Sequence, residues 1–128
     1  MLKVFMAEDD KMLARVYEKI FEFNGYQLDV AFDGEQAISY LRSVNPKPGV
    51  VLLDVMMPHK DGFSVMEDMK KDSALKDIPV LFLTNLYAEK DEKKGLDMGA
   101  EAYLVKSQFI PQEIVDKVKE VCEKCHIK

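Results

Sequence analysis

The sequence predicts an α/β fold, a doubly wound sheet of five parallel strands flanked by five helices. Five short apolar segments alternate along the chain with five amphipathic segments, which is typical of β-α units. Four of the apolar segments lead into polar residues that can carry chemistry. With 128 residues, 48% of them hydrophobic, the chain is long enough for one domain with a substantial core.

The predicted strands are short apolar runs bounded by turn residues. They cover residues 4–6, 28–31, 50–53, 80–83 and 102–105. The third strand is the clearest, because its four residues are all apolar and two of them are β-branched. Such a run indicates a strand that is buried on both faces of a parallel sheet.

The predicted helices fill the gaps between the strands and cover residues 11–23, 34–44, 63–71, 88–98 and 111–125. The first helix has apolar residues at helical spacing, namely Leu13, Val16, Tyr17 and Ile20. Asp10 precedes this helix as a candidate N-cap, and Gly25 follows it as a stop signal.

The later helices carry their own boundary signals. Asp33 and Gln36 have the spacing of a capping box at the start of the second helix. Gly99 closes the fourth helix, and Pro111 begins the fifth.

Charge and composition argue against several classes of protein. The formal net charge is −5, and acidic residues interrupt the basic runs, so we expect no direct nucleic-acid binding. No segment approaches the roughly 18 apolar residues of a membrane span. The N-terminus also lacks the basic and apolar regions of a signal peptide. We therefore expect a cytoplasmic protein that makes no membrane contact.

The third predicted strand ends at Asp54. In open α/β sheets, reacting groups gather at the carboxyl ends of the strands. Met57, Pro58 and Gly62 then force a turn, which we expect to leave the carboxylate accessible at the rim. Taken alone, this segment is better explained by a loop or N-cap aspartate, and the other strand ends change that balance.

A second acidic cluster follows the first predicted strand, where the chain continues into Glu8, Asp9 and Asp10. Carboxylates about 4 Å apart repel by roughly 4 kcal/mol at an effective dielectric of about 20, so the cluster requires a cation. A lysine or a divalent metal would supply it, and Mg²⁺ suits a small pocket of carboxylate oxygens. Helix capping explains Asp10 but leaves Glu8 and Asp9 without a role.

The fourth predicted strand leads into Thr84 and the fifth into Lys106. Acidic, hydroxyl and ammonium groups thus meet at one edge of the predicted sheet. A carboxylate nucleophile, a metal held by acids, and a donor and a cation for the phosphoryl oxygens are the components of phosphoryl transfer. We predict an aspartyl phosphate as the product.

These residues resemble the response-regulator receiver domains of two-component signalling, of the stand-alone chemotaxis-regulator type. The resemblance covers essentially the whole chain and implies a sheet of strand order 2-1-3-4-5. It rests on an ordered set of motifs: Glu8-Asp9, Asp54 with Met57-Pro58 and Gly62, Thr84, the stretch at 99–103, and Lys106.

The resemblance also implies a role for each motif residue. Asp54 accepts the phosphoryl group, Thr84 binds one phosphoryl oxygen, and Lys106 neutralises another. Tyr103 is the aromatic switch residue, and a plain core aromatic is the alternative explanation for it. The implied Mg²⁺ ligands are all oxygen donors: Glu8, Asp9, Asp54 and the backbone carbonyl of Met56.

Partners follow from the same resemblance. A histidine kinase, a phosphotransfer protein or a small phosphodonor supplies the phosphoryl group. A downstream effector protein reads the surface formed by the fourth and fifth helices and the fifth strand. We expect a single receiver domain over residues 1–128, without an output domain, that catalyses only its own phosphorylation and dephosphorylation.

Four positions depart from the family pattern. Asn85 stands where small residues are common, so that it either narrows access to the phosphoryl group or adds an amide contact. Met56 and Leu86 flank the site without polar groups, and we expect them to position hydrolytic water poorly and make dephosphorylation slow. Ser107 stands where proline is common, so the geometry of the preceding peptide bond is not predicted.

Three alternative functions compete with this one. An aspartate-nucleophile phosphatase would place a second carboxylate two residues after the nucleophile, where this chain has Met56. A receiver-like interaction module that is never phosphorylated is the stronger rival. The pattern C-x-x-C-H at Cys122, Cys125 and His126 fits covalent haem attachment. We expect instead that Cys122 packs as a small apolar residue and that no disulfide forms.

Overall fold

The sheet in the computed structural model, which describes residues 2–125, consists of five parallel strands. In chain order the strands are β1 (Leu2–Ala7), β2 (Tyr26–Ala31), β3 (Val50–Leu53), β4 (Val80–Thr84) and β5 (Ala102–Val105). Their spatial order is β2-β1-β3-β4-β5, which confirms the predicted α/β class and strand order.

Five α-helices connect or follow the strands. They are α1 (Lys11–Phe23), α2 (Gly34–Ser43), α3 (Gly62–Lys70), α4 (Glu89–Asp97) and α5 (Pro111–Lys124). Every predicted element is present, and the ends differ by one or two residues, as fraying ends usually do. At the site, Thr84 is the last residue of β4.

Local signals explain where the helices begin and end. The Asp10 side chain caps α1 by accepting from the backbone N–H groups of Met12 and Leu13, at 3.0 and 3.1 Å. Asp33 caps α2 by accepting from the Gln36 backbone N–H at 2.8 Å, which is the Asp33 half of the predicted capping box. Gly25 and Gly99 have φ values of +86° and +103°, which favour glycine at helix ends.

Different helices cover the two faces of the sheet. On one face, residues of α2 and α3 pack against the strands, and on the other face residues of α1 and α5 do so. All four residues of β3 are fully buried because the strand lies at the centre of the sheet between both layers. The loops at the carboxyl ends of the strands therefore remain available for a site.

The C-terminal cysteine motif lies at the end of α5. Cys122 is buried beside Val118 and Val121, as expected for a small apolar residue. The third residue of the motif, His126, lies outside the described residues. Within residues 2–125, no helix is both long enough and apolar enough to cross a membrane.

Candidate phosphoacceptor site

Strand register brings the predicted site residues to one edge of the sheet. Ala7 pairs with Leu53, so that Glu8 and Asp54 follow at the same level on neighbouring strands. At the other side of the sheet, Thr84 pairs with Val105, the residue before Lys106. The polar strand ends meet because the strands are parallel and adjacent in space, although they are far apart in sequence.

Lys106 supplies the cation that the acidic cluster requires. Its Nζ lies 2.5 Å from Glu8 Oε1 and 2.6 Å from Asp54 Oδ2. The Lys106 side chain is only 10% exposed, and both carboxylates are buried more deeply. Such short charge-assisted contacts hold the two carboxylates together in spite of their mutual repulsion.

Burial and pairing shift the pKa values of these groups. Burial raises the pKa of the Glu8 carboxyl above its ordinary value of 4.5, although the hydrogen bonds from Lys106 and from the Asp10 backbone oppose the shift. Burial alone would lower the pKa of Lys106, but its hydrogen bonds to Asp54 and Glu8 outweigh that effect and raise it. Lys106 therefore stays protonated over the physiological range.

Three carboxylates of this cluster form a group that could hold a metal ion. Oxygen atoms of Glu8, Asp9 and Asp54 all lie within 4.8 Å of one another. Asp9 is exposed, whereas Glu8 and Asp54 are buried, so the group opens to solvent on one side. Hard carboxylate oxygens in a small open pocket fit the preference of Mg²⁺, which keeps several of its waters.

A depression of about 320 Å³ contains this group. The residues that line it are Glu8, Asp9, Asp10, Leu13, Asp54, Met56, Thr84, Asn85 and Lys106. It therefore brings together the predicted nucleophile, the predicted metal ligands, the hydroxyl and the ammonium group. Tyr103 does not line the depression, and its connection to the site is indirect.

The expectation that Asp54 is accessible was wrong, because the residue is only 5% exposed. Lys106 covers Oδ2, and the backbone N–H of Met56 donates to Oδ1 at 3.1 Å. Gly62 packs closely against the Asp54 backbone, since a Cβ placed on it would lie 2.2 Å from the Asp54 backbone carbonyl oxygen. The carboxylate is thus fixed in orientation and reached only through the depression.

Thr84 and Tyr103 are joined by the peptide groups of Leu86. Thr84 is fully buried, and its Oγ1 accepts a hydrogen bond from the Leu86 N–H at 3.1 Å. The Tyr103 hydroxyl donates to the Leu86 carbonyl at 2.5 Å. Burial raises the pKa of Tyr103 to about 12, with Asp91 and Asp54 contributing through their charges. Sequence reasoning did not identify Leu86 as this connection, because any residue can supply backbone groups.

The sequence does not predict whether the peptide bond after Lys106 is cis or trans. Among residues 2–125, the single cis peptide bond joins Asn45 to Pro46, so the bond between Lys106 and Ser107 is trans. Lys106 itself begins a short 3-10 turn that ends at Gln108.

A parallel sheet of order 2-1-3-4-5, with an aspartate, a lysine and an acidic group at its carboxyl edge, defines the receiver class of signalling domain. The chain belongs to the response regulator receiver domain family, whose model matches residues 4–119. This membership confirms the resemblance that the sequence motifs indicated.

Known relatives agree with this assignment. The chain is 34% identical over 119 residues to the probable transcriptional regulator ycf27 of Porphyridium aerugineum, covering 93% of this chain and 47% of the relative. The phosphate regulon transcriptional regulatory protein PhoB of Escherichia coli is also 34% identical, and the match covers 93% of this chain and 51% of PhoB. The chain thus spans about half the length of these curated relatives.

Solved structures show the same fold. The receiver domain of Francisella response regulator 1452 is 32% identical, with a TM-score of 0.87 over 98% of this chain and 99% of that one. The phosphorylated cyanobacterial phytochrome response regulator RcpA is 29% identical, with a TM-score of 0.80 over 95% and 91%. The Mn²⁺-bound form of response regulator Rcp1 is 26% identical, with a TM-score of 0.80 over 95% and 92%.

Proposed function

We propose that this chain is the phosphoacceptor of a two-component phosphorelay and that Asp54 is the residue phosphorylated. The observation that carries the proposal is the placement of the Asp54 carboxylate, 2.6 Å from Lys106 Nζ and within an acidic group suited to a metal. A phosphorylated form is known for the similar response regulator RcpA, which supports the same chemistry here.

In the proposed reaction, an Asp54 carboxylate oxygen attacks the phosphorus of the donor. A P–O bond forms as the P–N bond of a phosphohistidine breaks, and the histidine leaves with the bonding electron pair. With a small phosphodonor, the bond that breaks is the one to its leaving-group oxygen. The contacts from Lys106 and the Met56 N–H orient the nucleophile before the donor arrives.

Glu8, Asp9, Asp54 and the Met56 backbone carbonyl would hold Mg²⁺ in this proposal. When bound, the ion supplies positive charge that neutralises the phosphoryl oxygens. The donor set fits, because three carboxylates offer hard oxygen ligands within 4.8 Å. The similar response regulator Rcp1 has an Mn²⁺-bound form, which supports a divalent cation.

Thr84 and Lys106 are assigned to the phosphoryl oxygens. The Thr84 oxygen accepts from Leu86, so that its hydroxyl hydrogen is free to donate to a phosphoryl oxygen. The Lys106 ammonium group carries three N–H donors and can keep a carboxylate contact while it binds another oxygen. Together they stabilise the charge of the acyl phosphate.

The signal then passes from Thr84 toward the fourth and fifth helices and the fifth strand. If Thr84 turns toward the phosphoryl group, its contact with the Leu86 N–H is lost, and the Leu86 carbonyl is the group that holds the Tyr103 hydroxyl. Movement of Leu86 therefore changes the hydrogen bonding of Tyr103 on β5. It also changes the position of α4, which follows Leu86 in the chain. A downstream effector protein reads the altered α4, α5 and β5 surface.

Dephosphorylation is slow in this proposal. Met56 is 61% exposed beside the site, and Leu86 is partly buried near it, yet neither side chain can act as an acid or base. The domain is thus a self-modifying switch with a long-lived active form, and no separate substrate is turned over. The domain makes no direct contact with nucleic acid, in keeping with the net charge of −5.

Intact-mass measurement after incubation with acetyl phosphate and Mg²⁺ tests the proposal. We expect one added phosphoryl group on the unaltered chain, and none on Asp54→Asn or after chelation of the metal. Asp33→Asn is the matched control, because Asp33 is also a buried aspartate but caps α2 outside the depression. If the unaltered chain gains no mass and binds no beryllofluoride, the phosphorylation-independent interaction module is the better interpretation.

A further inference from the structure

We infer that the outer edge of β2, together with the charged groove of α1 beside it, is an interface at which two copies of this chain form a two-fold dimer. In this dimer the two β2 strands pair antiparallel and join the two sheets into one. The inference goes beyond the proposed function, because the residues of this groove do not line the phosphoacceptor depression and the contact requires no phosphoryl group.

β2 is an edge strand with one unpaired side. Its six residues, Tyr26–Ala31, pair with Leu2–Ala7 of β1, and among residues 2–125 no strand lies beyond it. The strand at the opposite edge of the sheet, β5, has only four residues. An unpaired edge exposes backbone N–H and C=O groups that can pair with a strand of another molecule. β2 is therefore the longer of the two edges at which such pairing can occur.

The features that usually prevent edge-to-edge pairing are missing from β2. Proline and free charged side chains are common means of blocking an edge strand. The strand contains no proline, and its one charged residue is Asp29. The Asp29 carboxylate is already engaged, since it accepts from the Tyr40 hydroxyl and lies 3.8 Å from Lys3 Nζ. The edge thus carries neither a proline nor a free charge.

A groove runs along this edge between α1 and β2. One part of it, about 470 Å³ in volume, lies between α1 and Phe32, the residue that follows β2. The other part, about 200 Å³, borders Tyr26 at the start of the strand. Glu18 and Glu22 line both parts, so the two parts adjoin. The groove therefore extends from one end of β2 to the other.

The charged side chains of α1 lie in this groove without partners. They are the cations Lys11, Arg15 and Lys19 and the acids Glu18 and Glu22. All five residues are exposed, and among residues 2–125 none of them forms an ion pair. Neighbours four positions apart carry like charges, an arrangement that destabilises a helix. Opposite charges from a second molecule would relieve this repulsion.

Antiparallel pairing of β2 brings such opposite charges together. Lys11 marks the carboxyl end of β2, because its Nζ lies 5.4 Å from the Phe32 ring centroid, whereas Glu22 also lines the part of the groove at the amino end. In an antiparallel pair, the carboxyl end of one strand lies beside the amino end of the other. Lys11 of each copy thus approaches Glu22 of the partner subunit. One helical turn further along, Arg15 approaches Glu18 of the partner subunit.

α1 is also positioned so that two copies of it can pack. Tyr17 and Phe21 of α1 share a buried cluster with Val4 of β1 and Leu28 of β2, so the helix covers both strands. A helix centred over two strands lies about half of the roughly 4.8 Å strand spacing inside β2. The two α1 helices of the dimer would therefore be about 10 Å apart, a usual distance for packed helices. Helix packing thus adds to strand pairing.

Charge reversal tests the interface while every side chain stays long and charged. Lys11→Glu combined with Arg15→Glu makes the groove acidic, and Glu18→Lys combined with Glu22→Lys makes it basic. Each double variant should repel a second copy of itself. The two double variants are complementary when mixed, and so is a quadruple variant that carries all four changes.

Self-association is measured by sedimentation velocity over a range of protein concentrations, and circular dichroism checks that each variant is folded. Amide hydrogen exchange at low and high protein concentration locates the contact. Lys76→Glu combined with Lys90→Glu is the matched control, because both residues are exposed and neither lines the groove. This control changes the net charge by the same amount as the acidic double variant.

We expect the unaltered chain and the control to dimerise alike, with slower exchange of the β2 amides as the concentration rises. Each double variant should raise the dissociation constant of the dimer by about tenfold, because every reversed contact occurs twice in a two-fold dimer. The mixture and the quadruple variant should restore it. A chain that stays monomeric throughout would overturn the inference. A dimer that the double variants leave unchanged, or that the mixture does not restore, would also overturn it, since the contact would then lie on another surface.

Discussion

Replacing Lys106 by methionine removes the cation that, among residues 2–125, pairs with both Glu8 and Asp54. The side chains keep a similar length, but the two carboxylates, at 1% and 5% exposure, lose partners at 2.5 and 2.6 Å. Breaking a buried ion pair from one side costs about 3–5 kcal/mol, because the remaining charges stay desolvated. We expect the free energy of unfolding to fall by about that amount at neutral pH.

The size of this loss is expected to depend on pH. The pKa of Glu8 is already raised by burial, and removal of Lys106 takes away the largest influence that lowers it. A raised carboxyl pKa means that the folded state binds the proton more tightly than the unfolded state, so stability falls as pH rises above 4.5. The variant therefore recovers part of its stability as the pH is lowered toward that value.

Urea denaturation at neutral pH and near pH 4.5 measures both effects. Lys90→Met is the matched control, because Lys90 is exposed and lies outside the cluster. Addition of Mg²⁺ is expected to restore part of the stability of the Lys106 variant, since the ion binds the same carboxylates. A loss below about 1 kcal/mol, or a loss that does not change with pH, would refute the assignment of Lys106 as the cation of the cluster.

Three further measurements test the Tyr103 hydroxyl and the close packing of Gly62. Tyr103→Phe removes the hydroxyl that donates to the Leu86 carbonyl. Thermal or urea unfolding should show that the free energy of unfolding falls by about 0.5–1.5 kcal/mol. An unchanged free energy of unfolding would argue against that hydrogen bond. Alkaline titration followed by tyrosine absorbance should reveal one phenol that ionises near pH 12 in the unaltered chain and is missing from Tyr103→Phe. Because the pKa of Tyr103 is raised in the folded state, the stability that it contributes should decline from about pH 10 upward. Gly62→Ala should destabilise the fold by about 1–3 kcal/mol and slow phosphorylation, because its Cβ would meet the Asp54 carbonyl at 2.2 Å. Gly25→Ala is the control for Gly62→Ala. A Cβ at Gly25 is strained by the φ of +86° but would meet no atom within 4 Å, so this variant should leave phosphorylation unchanged.

The elements of the fold could be predicted because their signals are local. Four consecutive apolar residues indicate β3 without reference to the rest of the chain, and β3 is fully buried as expected. Asp10 and Asp33 mark helix starts through hydrogen bonds to residues two or three positions ahead. Sequence spacing alone is enough to find such contacts.

The environment of the site could not be predicted in the same way. Asp54 is buried partly because Lys106, 52 residues away in sequence, folds over its carboxylate. Its accessibility was therefore misjudged from the turn residues that follow it. The link from Thr84 through Leu86 to Tyr103 uses backbone groups of Leu86, which leave no trace in residue type.

Chemical trapping of the phosphorylated residue tests the central claim most directly. After incubation with acetyl phosphate and Mg²⁺, borohydride reduces an acyl phosphate to an alcohol and converts a phosphorylated aspartate into homoserine. Peptide sequencing by mass spectrometry then identifies the modified position. We expect homoserine at Asp54 alone; modification of Asp9 or another carboxylate in place of Asp54, or of none, would contradict the proposed mechanism.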